Sequence, residues 1–168
     1  KLVIVSGANG FTGRFVCKEL LKRDIKFIAL LRPGTDASWF KNRLIQVRFA
    51  DLNNYKELKS NLKDCYYLLN IASIGFNSVP TIIKACRKIN LKRVIFISTT
   101  AIFTKLNAKS KAIRIKAENQ IKRSGLNWTI IRPTMIYGDL NDRNIIKLIT
   151  WLDKYFIIPV FGSGEYLQ

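Results

Sequence analysis

Short apolar runs and stretches of helical period alternate along this chain, joined by brief polar connections. The run Leu2-Val3-Ile4-Val5 enters a glycine-rich turn. Beyond it Phe11, Phe15, Val16, Leu20 and Leu21 recur at helical spacing, with Lys18, Lys22 and Arg23 on the other faces. This predicts a strand, a tight turn and a helix ending near Asp24. Residues 26–31 predict a second strand, stopped by Pro33 and Gly34, and the alternating residues 44–50 a third. A helix Tyr55–Leu62 then leads to residues 66–73, which are too apolar on both faces for an exposed sheet and read as a central strand. There follow a helix over about 79–90, a strand Arg93–Ile97, and a loop over 105–115 that leads into a helix carrying residues 116–121 and closed by Ser124-Gly125. A sixth strand over 127–133 and an amphipathic helix over 144–156 complete the pattern. Strand alternating with helix predicts a doubly wound parallel α/β sheet of six to seven strands, helices on both faces, in a single domain spanning 1–168.

The first turn carries the chemistry. Gly7-Ala8-Asn9-Gly10-Phe11-Thr12-Gly13 spaces its glycines G-x-x-G-x-x-G between a strand and a helix. Gly7 suits the tight turn, Gly10 lets backbone N–H groups approach a pyrophosphate, and Gly13 lets the helix pack against the strand. Asn9, Phe11 and Thr12 complete the loop, and the helix N-terminus favours an anion there. At the end of the second strand an acid would bond the ribose hydroxyls of NAD; this chain has Arg32, whose guanidinium can pair with a 2′-phosphate. The cofactor expected is therefore NADP, with NAD the alternative, and Arg32 as a solvated strand-end charge is the competing reading. Asp51 and Leu52, after the third strand, are placed beside the adenine, while Asp51 also competes with Asn53 and Asn54 to cap the next helix. Ala72 and Ser73 are small enough to admit a ligand after the fourth strand, and Pro133 ends the sixth on the nicotinamide side.

Composition narrows the classes. The 168 residues are 48% hydrophobic and 24% charged, and no apolar run approaches the roughly 18 residues of a membrane span. The first strand begins almost at residue 1, so the chain as given is read as lacking a signal peptide. Cys17, Cys65 and Cys86 follow no metal-ligand spacing and read as buried thiols in a reducing, cytoplasmic compartment; no metal is expected. Histidine is absent, which excludes a Ser-His-Asp triad from within this chain. The net charge of +18 admits an anionic partner, yet lysine is spread over every segment and no nucleic-acid fold signature accompanies it, so no specific nucleic acid is expected.

Taken together, the glycine loop, the Asp51-Leu52 pair, Val94-Ile95-Phe96-Ile97-Ser98-Thr99 and residues 128–138 resemble an extended or atypical short-chain dehydrogenase/reductase, close to the NAD(P)-dependent nucleoside-diphosphate-sugar epimerases and dehydratases. The resemblance implies a Rossmann fold and hydride transfer on a sugar nucleotide or similar small molecule. It also implies a Ser or Thr after the fifth strand and a Tyr-x-x-x-Lys helix: Thr99 matches the first, and Lys116, in the Lys116-Ala117-Glu118 step, is matched to the lysine. Counting back puts Ala112 where the tyrosine should stand, so whether the chain is an enzyme is left open. A C-terminal substrate portion, present in the family, reads as truncated or absent. The alternative is a noncatalytic NADP(H)-binding sensor or scaffold, resembling the accessory subunit of respiratory complex I. The partners expected are a small-molecule substrate, and a second copy of the chain or a larger complex.

Overall fold

A computed structural model of the chain describes residues 2–105, 109–138 and 145–157. These fall into two compact units, Lys1–Thr134 and Met135–Gln168. The first holds a six-stranded parallel sheet in the order β3-β2-β1-β4-β5-β6, formed by β1 (Val3–Ser6), β2 (Phe27–Leu31), β3 (Gln46–Phe49), β4 (Tyr67–Asn70), β5 (Arg93–Ile97) and β6 (Trp128–Ile131). Its helices are α1 (Phe11–Lys22), α2 (Ser38–Lys41), α3 (Tyr55–Leu62), α4 (Val79–Ile89) and α5 (Lys109–Lys122); the second unit carries α6 (Ile145–Tyr155).

The strand order reverses between β1 and β4, and the core divides accordingly. Ile4, Ile28, Leu68, Val94 and Phe96 point to one face and pack on Leu58 and Leu62 of α3, Ile82 and Cys86 of α4, and Ala117 and Ile121 of α5. Val5, Ala29 and Leu31 point to the other and meet Cys17 of α1 and Phe40 of α2. Period-two alternation thus sends neighbouring residues of one strand into two separate cores. β2 is buried along its whole length, which is why its sequence is uniformly apolar. The strand ends of β1 and β4 are tied by a buried polar bridge: the Ser6 hydroxyl donates to Asn70 Oδ1 at 2.7 Å, and Asn70 Nδ2 donates to the Ala72 carbonyl at 2.9 Å.

Caps set the helix ends. Asn54 rather than Asp51 caps α3, its Oδ1 accepting from the N–H groups of Lys56 and Glu57 at 3.1 and 3.3 Å. α4 ends where Asn90 takes a left-handed conformation at φ 57°. The fifth strand has the expected ends, whereas the expected second, third, fourth and sixth are one to four residues longer than the paired segments. Within the stretch 105–115, expected as a loop, α5 already begins at Lys109, its poor apolar period reflecting a face that carries charge. α2 and two 3-10 turns, Ile74–Phe76 and Thr100–Phe103, are too short to leave a periodic signal.

One ion pair joins α5 to the sheet edge. Glu118, buried to 3% side-chain exposure, accepts from Arg132 Nε at 2.9 Å and Nη2 at 2.5 Å. The guanidinium holds the Glu118 carboxyl below its usual range although burial pushes it up. Arg132→Ala strands a buried carboxylate; because Arg132 is itself 32% exposed, the expected loss at pH 7 is about 2–4 kcal/mol, rather less than for a fully enclosed pair. A lowered folded-state pKa stabilises above the ordinary carboxylate pKa of about 4.3, and that contribution disappears as pH falls through the lowered value. Urea unfolding should therefore show native and variant proteins converging in acid.

Candidate functional site

The C-terminal ends of β1 to β4 open onto a cleft of about 320 Å³. Its walls are Ser6 to Gly10 after β1, Arg32 and Thr35 after β2, Asp51 and Leu52 after β3, and Ala72 and Ser73 after β4. Gly7, Asn9, Gly10, Arg32, Asp51, Leu52, Ala72 and Ser73 thus come together from separate stretches of sequence.

Two glycines explain how the loop is built. Gly7 has φ +70°, and a Cβ there would run into the backbone nitrogen of Ala72, the residue that Asn70 holds in place. A Cβ on Gly13 would strike the Gly7 carbonyl oxygen. That carbonyl accepts from Gly10 N–H at 3.0 Å, closing the turn. Gly10 is the N-cap of α1 and brings no capping side chain, and the first turn contains no acid. The N–H groups at the start of α1, on Phe11 and Thr12, are therefore left for an anion, a donor set that fits a pyrophosphate. Asn9 Oδ1 accepts from Arg14 Nε at 3.2 Å and Nη2 at 2.6 Å, and the Arg14 guanidinium lies 5.6 Å from the Trp39 ring. Arg14 therefore steadies the loop from outside, a role that sequence reasoning misses; its one signal in the chain is a cation directly after Gly13.

Arg32 is exposed at the cleft mouth and its side chain makes no hydrogen bond or ion pair among the described residues. Asp51 accepts from Asn53 N–H at 2.9 Å, so its carboxylate shapes its own loop while lining the cleft. Thr99 follows β5, and its Oγ1 accepts from Ala101 N–H at 3.2 Å, leaving its own proton available. The Pro133 carbonyl accepts from Thr100 N–H at 3.0 Å, which binds the ends of β5 and β6 together.

Lys116 is not brought to the cleft. It lines a separate concavity with Ala112, Asn119 and Gln120, against Pro80 and Ile83 of α4. The α5 residues that turn towards the end of β4 are two positions earlier. Arg114 Nε lies 3.4 Å from where a Cβ on Gly75 would stand, and its Nη1 donates to Ser110 Oγ at 2.7 Å. Gly75 sits in the turn Ile74–Phe76, beside the cleft residues Ser73 and Phe76. Two residues are about 200° of helix, so 110 and 114 share one face of α5 while 112 and 116 share nearly the opposite one. Matching by the Lys-Ala-Glu step alone does not detect this, since both registers have the same i, i+4 spacing.

Cys17, Cys65 and Cys86 are free and buried, and burial pushes the thiols of Cys17 and Cys86 up to about 12. No described helix is long and apolar enough to cross a membrane.

A family model described as NAD(P)H-binding matches residues 7–149. The chain is similar to an uncharacterized chloroplastic protein of Arabidopsis thaliana, 23% identical over 87% of this chain and 63% of that protein. It is similar also to the chloroplast stem-loop binding protein of 41 kDa b of the same plant, 27% identical over 84% of this chain and 43% of that protein. The chain thus spans about half the length of these two relatives. Among solved structures, UDP-glucose 4-epimerase of Thermus thermophilus in complex with NAD superposes with a TM-score of 0.74 at 17% identity, covering 89% of this chain and 61% of that one. The NADPH-dependent quinone oxidoreductase of Escherichia coli, complexed with NADPH, gives 0.73 at 22% identity, covering 90% and 54%.

Gly7 and Gly125 separate conformation from crowding. Both have positive φ, at +70° and +68°, but nothing lies within 4 Å of a Cβ on Gly125. Gly125→Ala should cost only the left-handed penalty of about 1–2 kcal/mol. Gly7→Ala adds overpacking of about 1–3 kcal/mol. Equal losses in denaturant unfolding would contradict the close approach at Ala72.

Proposed function

The chain belongs to the NAD(P)H-binding family, and on that premise we propose that residues 1–168 form one domain that binds NADP(H) and presents it to a sugar nucleotide or similar small molecule for hydride transfer. The observation that carries this reading is a single cleft containing both the anion-ready start of α1 and the unpaired Arg32. The loop from Gly7 to Gly13 takes the pyrophosphate, Arg32 the 2′-phosphate with the Thr35 hydroxyl beside it, and Asp51 and Leu52 the adenosine. Ala72 and Ser73 leave room where the dinucleotide crosses β4. When bound, the nicotinamide supplies a hydride donor or acceptor; the chain's own groups bind and orient. Thr99 donates its hydroxyl proton to a substrate oxygen, Pro133 fixes the backbone of the facing strand end, and Arg114 supplies the cation beside the nicotinamide half. The buried free cysteines support a reducing compartment, read above as the cytoplasm.

One observation favours a second reading, in which NADP(H) is held without turnover. The α5 face turned towards β4 carries Ser110 and Arg114 in place of a phenol and an amine. A serine hydroxyl beside a guanidinium that never deprotonates is a poor proton donor or acceptor near pH 7.

Titration of NADPH fluorescence separates binding from chemistry. Arg32→Ala should weaken NADPH by about 10- to 100-fold, the value of a charge-assisted hydrogen bond, and leave NADH within about twofold. Equal losses for the two dinucleotides would make Arg32 a solvated charge. Absorbance at 340 nm with nucleotide sugars and quinones then reads turnover: a signal reduced by Thr99→Val at unchanged NADPH affinity supports the enzyme, whereas tight NADPH binding with no consumption supports the holding role.

A further inference from the structure

Lysine is spread along the chain, but acid is not. Between Cys65 and Ala117 there is no aspartate or glutamate. That stretch contributes β4, α4, β5 and the first turns of α5, so folding collects an unneutralised stretch on one side of the sheet. The exposed cations of α4 are Lys84, Arg87 and Lys88; Lys116 and Arg123 face them from α5 and the residue that follows it. The two acids of the neighbouring elements are engaged elsewhere. Glu118 is buried against Arg132, and Glu57 accepts from Asp51 N–H at 3.0 Å and Asn54 Nδ2 at 2.7 Å at the start of α3. Of the five cations, only Lys84 has a partner among the described residues, the Tyr55 ring, 4.6 Å from its ammonium. By contrast α1 carries an acid of its own, and Arg23, just past its end, donates from Nε to Glu19 at 2.6 Å.

The surface is concave. A groove of about 820 Å³ runs between α4 and α5, and one of about 520 Å³ between α3 and α4; both are bordered by Pro80, Ile83 and Arg87. Arg87 also borders a third hollow with Lys92 and Asn127. One guanidinium thus stands where three depressions meet, on the side of the sheet away from the helix that begins at the glycine loop.

We propose that this α4–α5 face binds the phosphate backbone of single-stranded RNA, independently of the cofactor cleft. Charge selects a polyanion: unpaired cations spaced along a groove meet successive phosphates and release counterions. A second copy of this chain would oppose Arg87, Lys116 and Arg123 to their own equivalents in a self-complementary interface. A lipid surface would need a broad apolar face, and here the exposed apolar residues of the groove are Pro80, Ala112 and Ile115. A duplex, stiff over about 150 base pairs, bridges a groove that a single strand can follow. Asn119 and Gln120, in the groove between the cations, offer amides that donate to and accept from a 2′-hydroxyl.

The test compares two variants of equal net charge by fluorescence anisotropy with a labelled single-stranded RNA of about 12 nucleotides. Arg87→Glu/Lys88→Glu/Arg123→Glu alters the groove; Lys18→Glu/Lys22→Glu/Lys41→Glu alters α1 and α2. At about 50 mM salt the first should weaken RNA binding at least about tenfold and the second less than about threefold. The slope of log affinity against log salt should flatten by about 2 in the first alone, at roughly 0.7 per lost phosphate contact. NADPH affinity, unchanged in both, reports that each is folded. The proposal is overturned by absence of saturable RNA binding at low salt or by equal losses in the two variants. It is overturned equally by tighter binding of single-stranded DNA, polyglutamate or anionic vesicles than of RNA, or by a native dimer that the groove variant splits.

Discussion

Two backbone segments meet at Gly7 with no space for a side chain between them, and the cleft exists because they do. Gly7 turns in a left-handed conformation against the Ala72 backbone, Gly13 brings α1 onto the Gly7 carbonyl, and the Ser6–Asn70–Ala72 bridge fixes the other side. Each contact depends on the next. Were β4 not adjacent to β1, Gly7 would have nothing to crowd it; were α1 not held close, its first N–H groups would not face the depression that Arg32 and Asp51 border. Strand order and helix placement together create this close approach, and the anion-binding geometry follows from it.

Electrostatics organises the opposite side of the protein. Glu118 is consumed internally by Arg132, which joins α5 to the end of β6. The same bond removes the one carboxylate of α5 from the outer surface. Lys122 still reaches Glu118 at 3.9 Å, but Lys84, Arg87, Lys88, Lys116 and Arg123 have no acidic partner among the described residues. Cofactor cleft and basic groove lie apart in the fold, so the roles proposed for them do not compete for residues.

Much of the fold is legible in the chain because burial writes a strong pattern. β2 is apolar throughout since both its faces are covered, α3 has the ends its sequence predicts, and β4 is central, as apolar residues on both its faces require. What escapes is whatever leaves no period. α2 spans barely one turn, the 3-10 turns are no longer, and α5 exposes so much charge that its start reads as loop. The cap of α3 also needs the structure, since Asp51, Asn53 and Asn54 are chemically equivalent candidates and only backbone geometry puts Asn54 Oδ1 before two N–H groups.

The sequence by itself determined the alternation of strand and helix, the glycine loop and the cation at the end of β2, because these are local: each is carried by neighbouring residues whose spacing states their conformation. Only the tertiary structure decided which face of α5 turns towards the end of β4. Ala112 with Lys116 and Ser110 with Arg114 are the same pattern on paper, and they differ by a rotation of about 200° that has meaning only once one pair shares a concavity with Pro80 and Ile83 of α4 and the other reaches Gly75. The same holds for charge. The missing acids between Cys65 and Ala117 are written in the chain, but it takes packing to turn a gap in composition into a groove.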